Sequence, residues 1–380
     1  MATTWTGPSP FVHDGPLPPE ELIGRDAEAD ALRAWARAGR FVALVAPRRY
    51  GKTSLIGKVA RDAEAADRIA VVRADLFEVA STADLVIRLE RAWAQHTPQR
   101  LREAVARVLA GAQVGLSIAG TGFTVALAER PGTDPLPALH TLLDLPNRLA
   151  GAKDHARVLV VLDEFQSLAR VEGAEALLRS HAQHQRETAS YLFAGSEPSM
   201  IAAAFGERSR PFYGQAEVFR LGRLGDAELA DAIGDRFERS GRHAGPVLQE
   251  LVRAAEGHPQ RAMLLAHLLW TQVPEGQVAT AEHWDAALTT ALRRVDAEAR
   301  AVLAGLPTGE RKALRAVAEY GTPLSARALR TLDLPKTTAA RAAQVLLGEG
   351  LLERDDDGWR LVDPLLARWL RRELPTRTAP

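Results

Sequence analysis

Five consecutive apolar residues, 41–45, run directly into Ala46-Pro47-Arg48-Arg49-Tyr50-Gly51-Lys52-Thr53-Ser54, and Leu55, Ile56 and Val59 follow at helical spacing. This order demands a short buried strand, a tight turn and a helix that opens on a lysine and a hydroxyl. The pattern A-x-x-x-x-G-K-T is that of a phosphate-binding loop, with Ala46 where glycine is usual. Backbone N–H groups of the loop and the N-terminus of the next helix make an anion site. Gly51 lets the backbone approach a phosphate with no Cβ in the way. Lys52 places a point charge on the β and γ oxygens, and the Thr53 hydroxyl ligates Mg²⁺. Residues 46–54, Pro47, Arg48, Arg49, Tyr50 and Ser54 included, are therefore expected to line a nucleotide. Ala46 fits wherever its φ is negative.

A second buried run, 158–162, delivers Asp163 and Glu164 at its C-terminal end. Such an acidic pair after a phosphate loop has a defined division of work. Asp163 holds Mg²⁺ through water, and Glu164 orients and deprotonates the attacking water. A glutamate beside the aspartate favours hydrolysis over simple binding. The next strand, 191–194, ends in Gly195-Ser196-Glu197, which makes Ser196 a candidate sensor of the γ-phosphate or of the lytic water. A serine that opens a turn or caps the following helix gives the same pattern.

Strand and helix alternate as far as about residue 223, the signature of a parallel sheet covered on both faces. Strands are expected at 41–45, 69–74, 157–162 and 190–194, with helices at 25–35, 82–95, 136–149 and 174–185. Residues 101–132 are the least readable; their Gly-, Ser- and Thr-rich part looks like a hairpin or an excursion. Beyond 223 the pattern is helical, at 226–240, 246–256, 259–271 and 281–304. It ends in a helix–helix–helix–wing–helix rhythm over 309–372 that gives a winged helix-turn-helix. The expected organisation is an N-terminal leader (1–20), a P-loop ATPase core (21–224), a helical lid (225–285), and a linker helix with a winged-helix domain (286–380).

Composition removes other classes. The chain has no cysteine, which excludes disulfides, thiolate metal sites and thiol nucleophiles. Lys plus Arg and Asp plus Glu number 48 each, so net charge gives no global argument for nucleic acid or membrane. No apolar run approaches the roughly 20 residues of a membrane helix, and the Pro- and Gly-rich N-terminus lacks signal-peptide order. The expectation is a cytoplasmic protein without a membrane partner. The histidines form no metal-ligand spacing, and there is no G-x-S-x-G.

These residues together resemble the archaeal-type ATPases, which belong with the AAA+ and STAND branches of P-loop NTPases. Residues 41–55 resemble that family's phosphate loop, and Leu162-Asp-Glu-Phe-Gln166 its acidic strand end. Leu22-Ile-Gly-Arg-Asp26 resembles its N-terminal box, which implies that Ile23, Gly24 and Arg25 lie beside adenine. Phe193-Ala-Gly-Ser-Glu-Pro-Ser-Met200, with Pro211-Phe-Tyr-Gly214, resembles its sensor strand and turn. Gly257-His-Pro259 resembles the STAND lid motif, which implies that Pro259 backs the base, with Arg261 as the lid cation. Gly350-Leu-Leu-Glu-Arg354 and Leu361-Val-Asp-Pro-Leu365 resemble its winged-helix ending. The resemblance implies an ASCE/AAA+-like core, ATP and ADP as ligands, Mg²⁺ as cofactor, and a homo-oligomer or partner protein. Gln215 stands where an arginine is expected after Tyr213-Gly214, so a finger arginine falls to Arg208 or Arg210.

Residues 286–380 carry 16 Lys or Arg against 12 Asp or Glu, a mildly basic balance. The expected recognition helix offers Lys336, Thr337, Thr338, Arg341 and Gln344, while the wing residues Asp355, Asp356 and Asp357 repel phosphate. DNA and a protein surface are equally compatible with this helix. Three functions share the site: an ATPase coupling Mg²⁺-dependent hydrolysis to movement of lid and winged helix, a slow-turnover nucleotide switch, and an ATP-loaded DNA-binding regulator.

Overall fold

The protein is described from a computed structural model, over residues 7–96, 105, 116–119, 122–125, 134–149, 157–355 and 358–373. It divides into two compact units: Arg25–Ala46 with Lys52–Leu221, and Met1–Gly24 with Pro47–Gly51 and Gly222–Pro380.

The first unit contains α1 (Asp26–Arg37), β1 (Phe41–Val45), α2 (Lys52–Ala66), β2 (Ile69–Asp75) and α3 (Thr82–His96). A hairpin of β3 (Leu116–Ala119) and β4 (Gly122–Val125) follows, then α4 (Leu136–Leu149), β5 (Arg157–Asp163) and a 3₁₀ helix (Phe165–Arg170). The unit closes with α5 (Ala174–Ala182), β6 (Ala189–Gly195), α6 (Pro198–Gly206) and β7 (Glu217–Arg220). Five strands form one parallel sheet in the order β2-β5-β6-β1-β7. Every residue of β1 and β6 is buried, which explains why these strands read as unbroken apolar runs rather than as alternating ones. Alternate residues still divide between two faces. Phe41, Ala43, Val45, Val158, Val160, Leu162, Tyr191 and Phe193 share one core with residues of α3, α4 and α6.

The hairpin of β3 and β4 bears out the reading of that stretch as a hairpin, although most of 101–132 lies outside the described residues. Two elements go beyond the sequence expectations. Strand β7 is mostly exposed and polar, so no apolar periodicity announces it. The 3₁₀ helix after Glu164 is two short turns with Phe165, Gln166, Ser167 and Leu168 all buried.

The second unit is built from helices: α7 (Asp226–Arg239), α8 (Val247–Ala255), α9 (Pro259–Gln272) and α10 (Ala281–Gly305). Then come α11 (Thr308–Tyr320), α12 (Ala326–Thr331), α13 (Lys336–Gly348), the β8 (Leu352–Asp355) and β9 (Gly358–Leu361) hairpin, and α14 (Pro364–Glu373). The element order of α11 to α14 is that of a winged helix. Caps at the helix starts account for several boundaries. The Thr280 hydroxyl accepts from His283 N ahead of α10, and Ser325 accepts from Ala328 N at 3.1 Å ahead of α12. Leu229, Ile233 and Phe237 of α7 join Leu251, Leu265 and Leu269 in a core that continues through Leu314 and Val317 to Leu366 and Leu370. The N-terminal stretch is irregular up to the 3₁₀ turn at Pro19–Glu21, yet Phe11 is buried with its ring centroid 5.1 Å from that of Phe237. Asp356 and Asp357 of the expected acidic wing lie outside the described residues. Among the described residues, no helix is long and apolar enough to cross a membrane.

Candidate nucleotide site

The parallel sheet brings the C-terminal ends of β1, β5 and β6 side by side, where open α/β sheets place their ligands. Lys52 opens α2 directly after the loop, Asp163 and Glu164 leave β5, and Ser196 leaves β6. The ammonium of Lys52 lies 3.2 Å from Asp163 Oδ1 and 3.1 Å from Glu164 Oε1. Ser196 Oγ donates to Glu164 Oε2 at 2.7 Å, and Gln166 Nε2 donates to the same oxygen. Three side chains, those of Lys52, Gln166 and Ser196, therefore converge on one carboxylate.

Glu164 carries two further marks of a functional position. Its backbone is left-handed (φ 53°, ψ 42°), a conformation that costs a non-glycine residue about 1 kcal/mol or more. Burial alone raises the pKa of its carboxyl. The Lys52 charge and the hydrogen bonds from Ser196 and Gln166 outweigh burial and hold the carboxyl below its ordinary value. The conformation is fixed from beneath by a phenylalanine cluster. Phe165 follows Glu164, and its ring centroid lies 4.8 Å from Phe193 and 5.5 Å from Phe212. Phe193 is itself three residues before Ser196, so the same aromatic cluster sets both strand ends.

Asp163 is buried and doubly held. Its Oδ1 also accepts from Glu164 N at 3.1 Å, and its Oδ2 pairs with Arg73 Nη2 at 2.6 Å. Arg73 comes from β2, the neighbouring strand, in register with Val161. Neither Arg73 nor Gln166 is among the residues singled out from sequence. The available signal for Arg73 is a charge inside an otherwise apolar strand, which needs a partner there. Gln166 lies inside the acidic strand-end motif but carries no chemistry of its own.

The loop itself has the expected backbone. Ala46 is fully buried and is absent from the positive-φ residues, which is why alanine serves where glycine is usual. Arg49 (φ 69°) and Gly51 (φ 82°) are left-handed. Among the described residues, the amides of 48–51 donate no backbone–backbone hydrogen bond, as an anion cradle requires. Arg48 is exposed. Thr53 is half-buried and Ser54 buried at the start of α2. Hard oxygen donors, the Thr53 hydroxyl and the Asp163 carboxylate, suit Mg²⁺.

The other expected site residues have these surroundings. Ile23 is buried, Gly24 is left-handed (φ 57°), and a Cβ there would meet Glu228 Oε2 at 2.6 Å. Arg25 is buried and pairs with Glu28 at 2.7 Å. Pro259 is the first residue of α9, and Arg261, also buried, pairs with Asp363 and lies 3.5 Å from Glu298. Arg208 is exposed, whereas Arg210 pairs with Glu175 at 2.5 Å.

No protein-family profile and no curated protein matches the chain. Solved structures do match. A Walker-type ATPase of Pyrococcus abyssi superposes with a TM-score of 0.66 at 16% identity, covering 95% of this chain and 99% of that one. The ORC2 protein of Aeropyrum pernix, in ADPNP–ADP complexes, gives 0.59 at 18% identity, covering 96% of each chain. At such identities the likeness establishes the fold alone: a P-loop ATPase fold, with a parallel five-stranded sheet covered by helices and a helical part after it. The particular chain is described by its site.

Proposed function

We propose that this protein binds ATP with Mg²⁺ and hydrolyses it, as an AAA+-type ATPase. The observation that carries this reading is the convergence of Lys52, Ser196 and Gln166 on Glu164 beside Asp163, at the C-terminal ends of adjacent parallel strands. Loop amides 48–51 and Lys52 would take the β- and γ-phosphate oxygens, and Thr53 with Asp163 would hold the metal. When bound, Mg²⁺ neutralises charge developing on the phosphate oxygens. Water attacks the γ-phosphorus, the bond to the β–γ bridging oxygen breaks, ADP leaves, and the water proton passes to Glu164. Ser196 orients Glu164 and its water. Ile23, Gly24 and Arg25 are proposed for the adenine side, with Pro259 and Arg261 as the STAND-type lid contribution. Exposed Arg208 is the better placed of the two arginines to act on a neighbouring copy.

One observation favours a slow switch as the second reading. Glu164 Oε2 already receives two donors and Oε1 a third, so the base is engaged before any water reaches it. Glu164→Gln keeps size and loses the base. Phosphate release should fall by about 10²- to 10⁴-fold while the ATP dissociation constant stays within about threefold. A wild-type protein that binds ATP and never turns over leaves only the switch.

A further inference from the structure

The tip of the phosphate loop, Pro47–Gly51, groups with Gly222–Pro380 and not with the sheet that supplies both of its flanks. Two consecutive side chains of this tip have partners in that same unit. Tyr50 is 1% exposed, a degree of burial that a free position of a phosphate-loop pattern does not require. Its phenol donates to Glu353 Oε2 of β8 at 2.8 Å, and its ring lies edge-on to His258, with centroids 5.0 Å apart. Arg49 Nη1 donates to Glu298 Oε1 of α10 at 2.9 Å.

Neither carboxylate is loose. Glu353 Oε1 accepts from Arg223 Nε, and the same guanidinium donates to Glu256 O at 2.6 Å, Leu361 O at 2.7 Å and Val362 O at 3.1 Å. Arg223 thus ties Glu353 to the end of α8 and to the residues after β9. Glu298 also receives Arg261, whose guanidinium is paired with Asp363 at the start of α14. A charged acceptor roughly doubles the strength of a hydrogen bond, and burial keeps water from competing for the Tyr50 phenol. The loop geometry needs such support, because Arg49 is held left-handed at φ 69°. Residues in this conformation persist where their surroundings over-determine it, and here the surroundings are Glu298 and Glu353.

We infer that Glu353 and Glu298 are positioning residues for nucleotide binding, acting through Tyr50 and Arg49 to hold the phosphate loop in its anion-cradling turn. Affinity for the nucleotide is thereby set in part by the wing and by α10. The inference rests on the nucleotide-binding reading of the loop.

The test uses the full chain and a fluorescent ADP analogue. Tyr50→Phe removes only the hydroxyl and should weaken binding about tenfold, the factor set by one hydrogen bond to a charged group. Glu353→Ala should weaken it to a similar degree, Glu353→Gln less because it keeps an acceptor, and the double variant Tyr50→Phe/Glu353→Gln no more than Tyr50→Phe alone. Variants that lower Tm but leave affinity within twofold of wild type would show a packing role only and overturn the inference. So would a double variant whose effect is the product of the two singles. Trypsin cleavage after Arg49 reads the clasp without nucleotide. It should be about tenfold faster in Tyr50→Phe and Glu353→Ala, because proteolysis follows local opening. Unchanged cleavage overturns the clasp whatever the nucleotide result. Absent binding by wild type with faster cleavage in the variants overturns the nucleotide reading while the clasp stands.

Discussion

Gly195 ends β6 one residue before Ser196, and its lack of a side chain is what lets Gln166 reach Glu164. A Cβ built there meets Gln166 Oε1 at 2.4 Å and Ile201 Cγ1 and Cδ1 at 2.5 and 2.6 Å. Gly195 is not among the positive-φ glycines, so Gly195→Ala tests crowding alone. Ile201 is fully buried and cannot swing into solvent, so the added methyl overpacks the core at about 1–3 kcal/mol. For a unit of this size, a cost near 2 kcal/mol lowers Tm by roughly 5 °C. The Gln166 amide is the softer neighbour and should turn away from Glu164. One lost hydrogen bond to a carboxylate corresponds to about tenfold in turnover. The pH profile gives a second, independent readout. The depressed Glu164 pKa depends partly on Gln166, so losing that donor raises it, and the base then protonates at higher pH. The acid limb of the rate profile should therefore move up. Differential scanning fluorimetry and phosphate release from pH 4.5 to 8 measure both effects. An alanine variant with Tm within about 1 °C of wild type and an unmoved acid limb would refute the packing and the Gln166 argument together.

Two other outcomes follow from the helical unit. Burial holds the His258 imidazole down at about 3, against an ordinary 6.5. Below pH 6.5 the unfolded chain takes up a proton that the folded chain refuses, so stability falls as pH drops, by about 1.4 kcal/mol per pH unit at full slope. His258→Asn keeps a cap for α9 and should flatten the difference between urea unfolding at pH 7 and at pH 5; parallel curves would contradict this. Lys336, Thr337, Thr338, Arg341 and Gln344 all lie exposed on α13. If they contact DNA, Lys336→Gln/Arg341→Gln should reduce the salt slope of a gel shift by about two. No shift on any duplex would contradict a DNA-binding role for that face.

The sheet and most of the site were legible because their residues obey local rules. The run 41–45 into Gly51-Lys52-Thr53 fixes strand, turn and helix, and 158–162 into Asp163-Glu164 fixes a second strand, separated from it in the sheet by β6. The illegible part depends on partners distant in the chain. Nothing in 217–220 announces an edge strand, since its pairing with β1 supplies the order. Arg73 becomes a site residue only through Asp163 on the neighbouring strand, and Gln166 only through the 3₁₀ turn that brings it back to Glu164. The loop pattern places Tyr50 along the nucleotide and says nothing of its partner, which lies some three hundred residues later at Glu353.

Lys52, Asp163 and Glu164 are proposed as a hydrolytic nucleotide site. The most direct measurement is Mg²⁺-dependent phosphate release from ATP by the wild-type chain beside Lys52→Ala, with ATP binding followed in the same samples by equilibrium dialysis. Wild type should release phosphate and bind ATP, and the folded variant should lose both by at least about tenfold. Equal release by the two proteins, or no ATP binding by folded wild type at millimolar ATP and Mg²⁺, would contradict it.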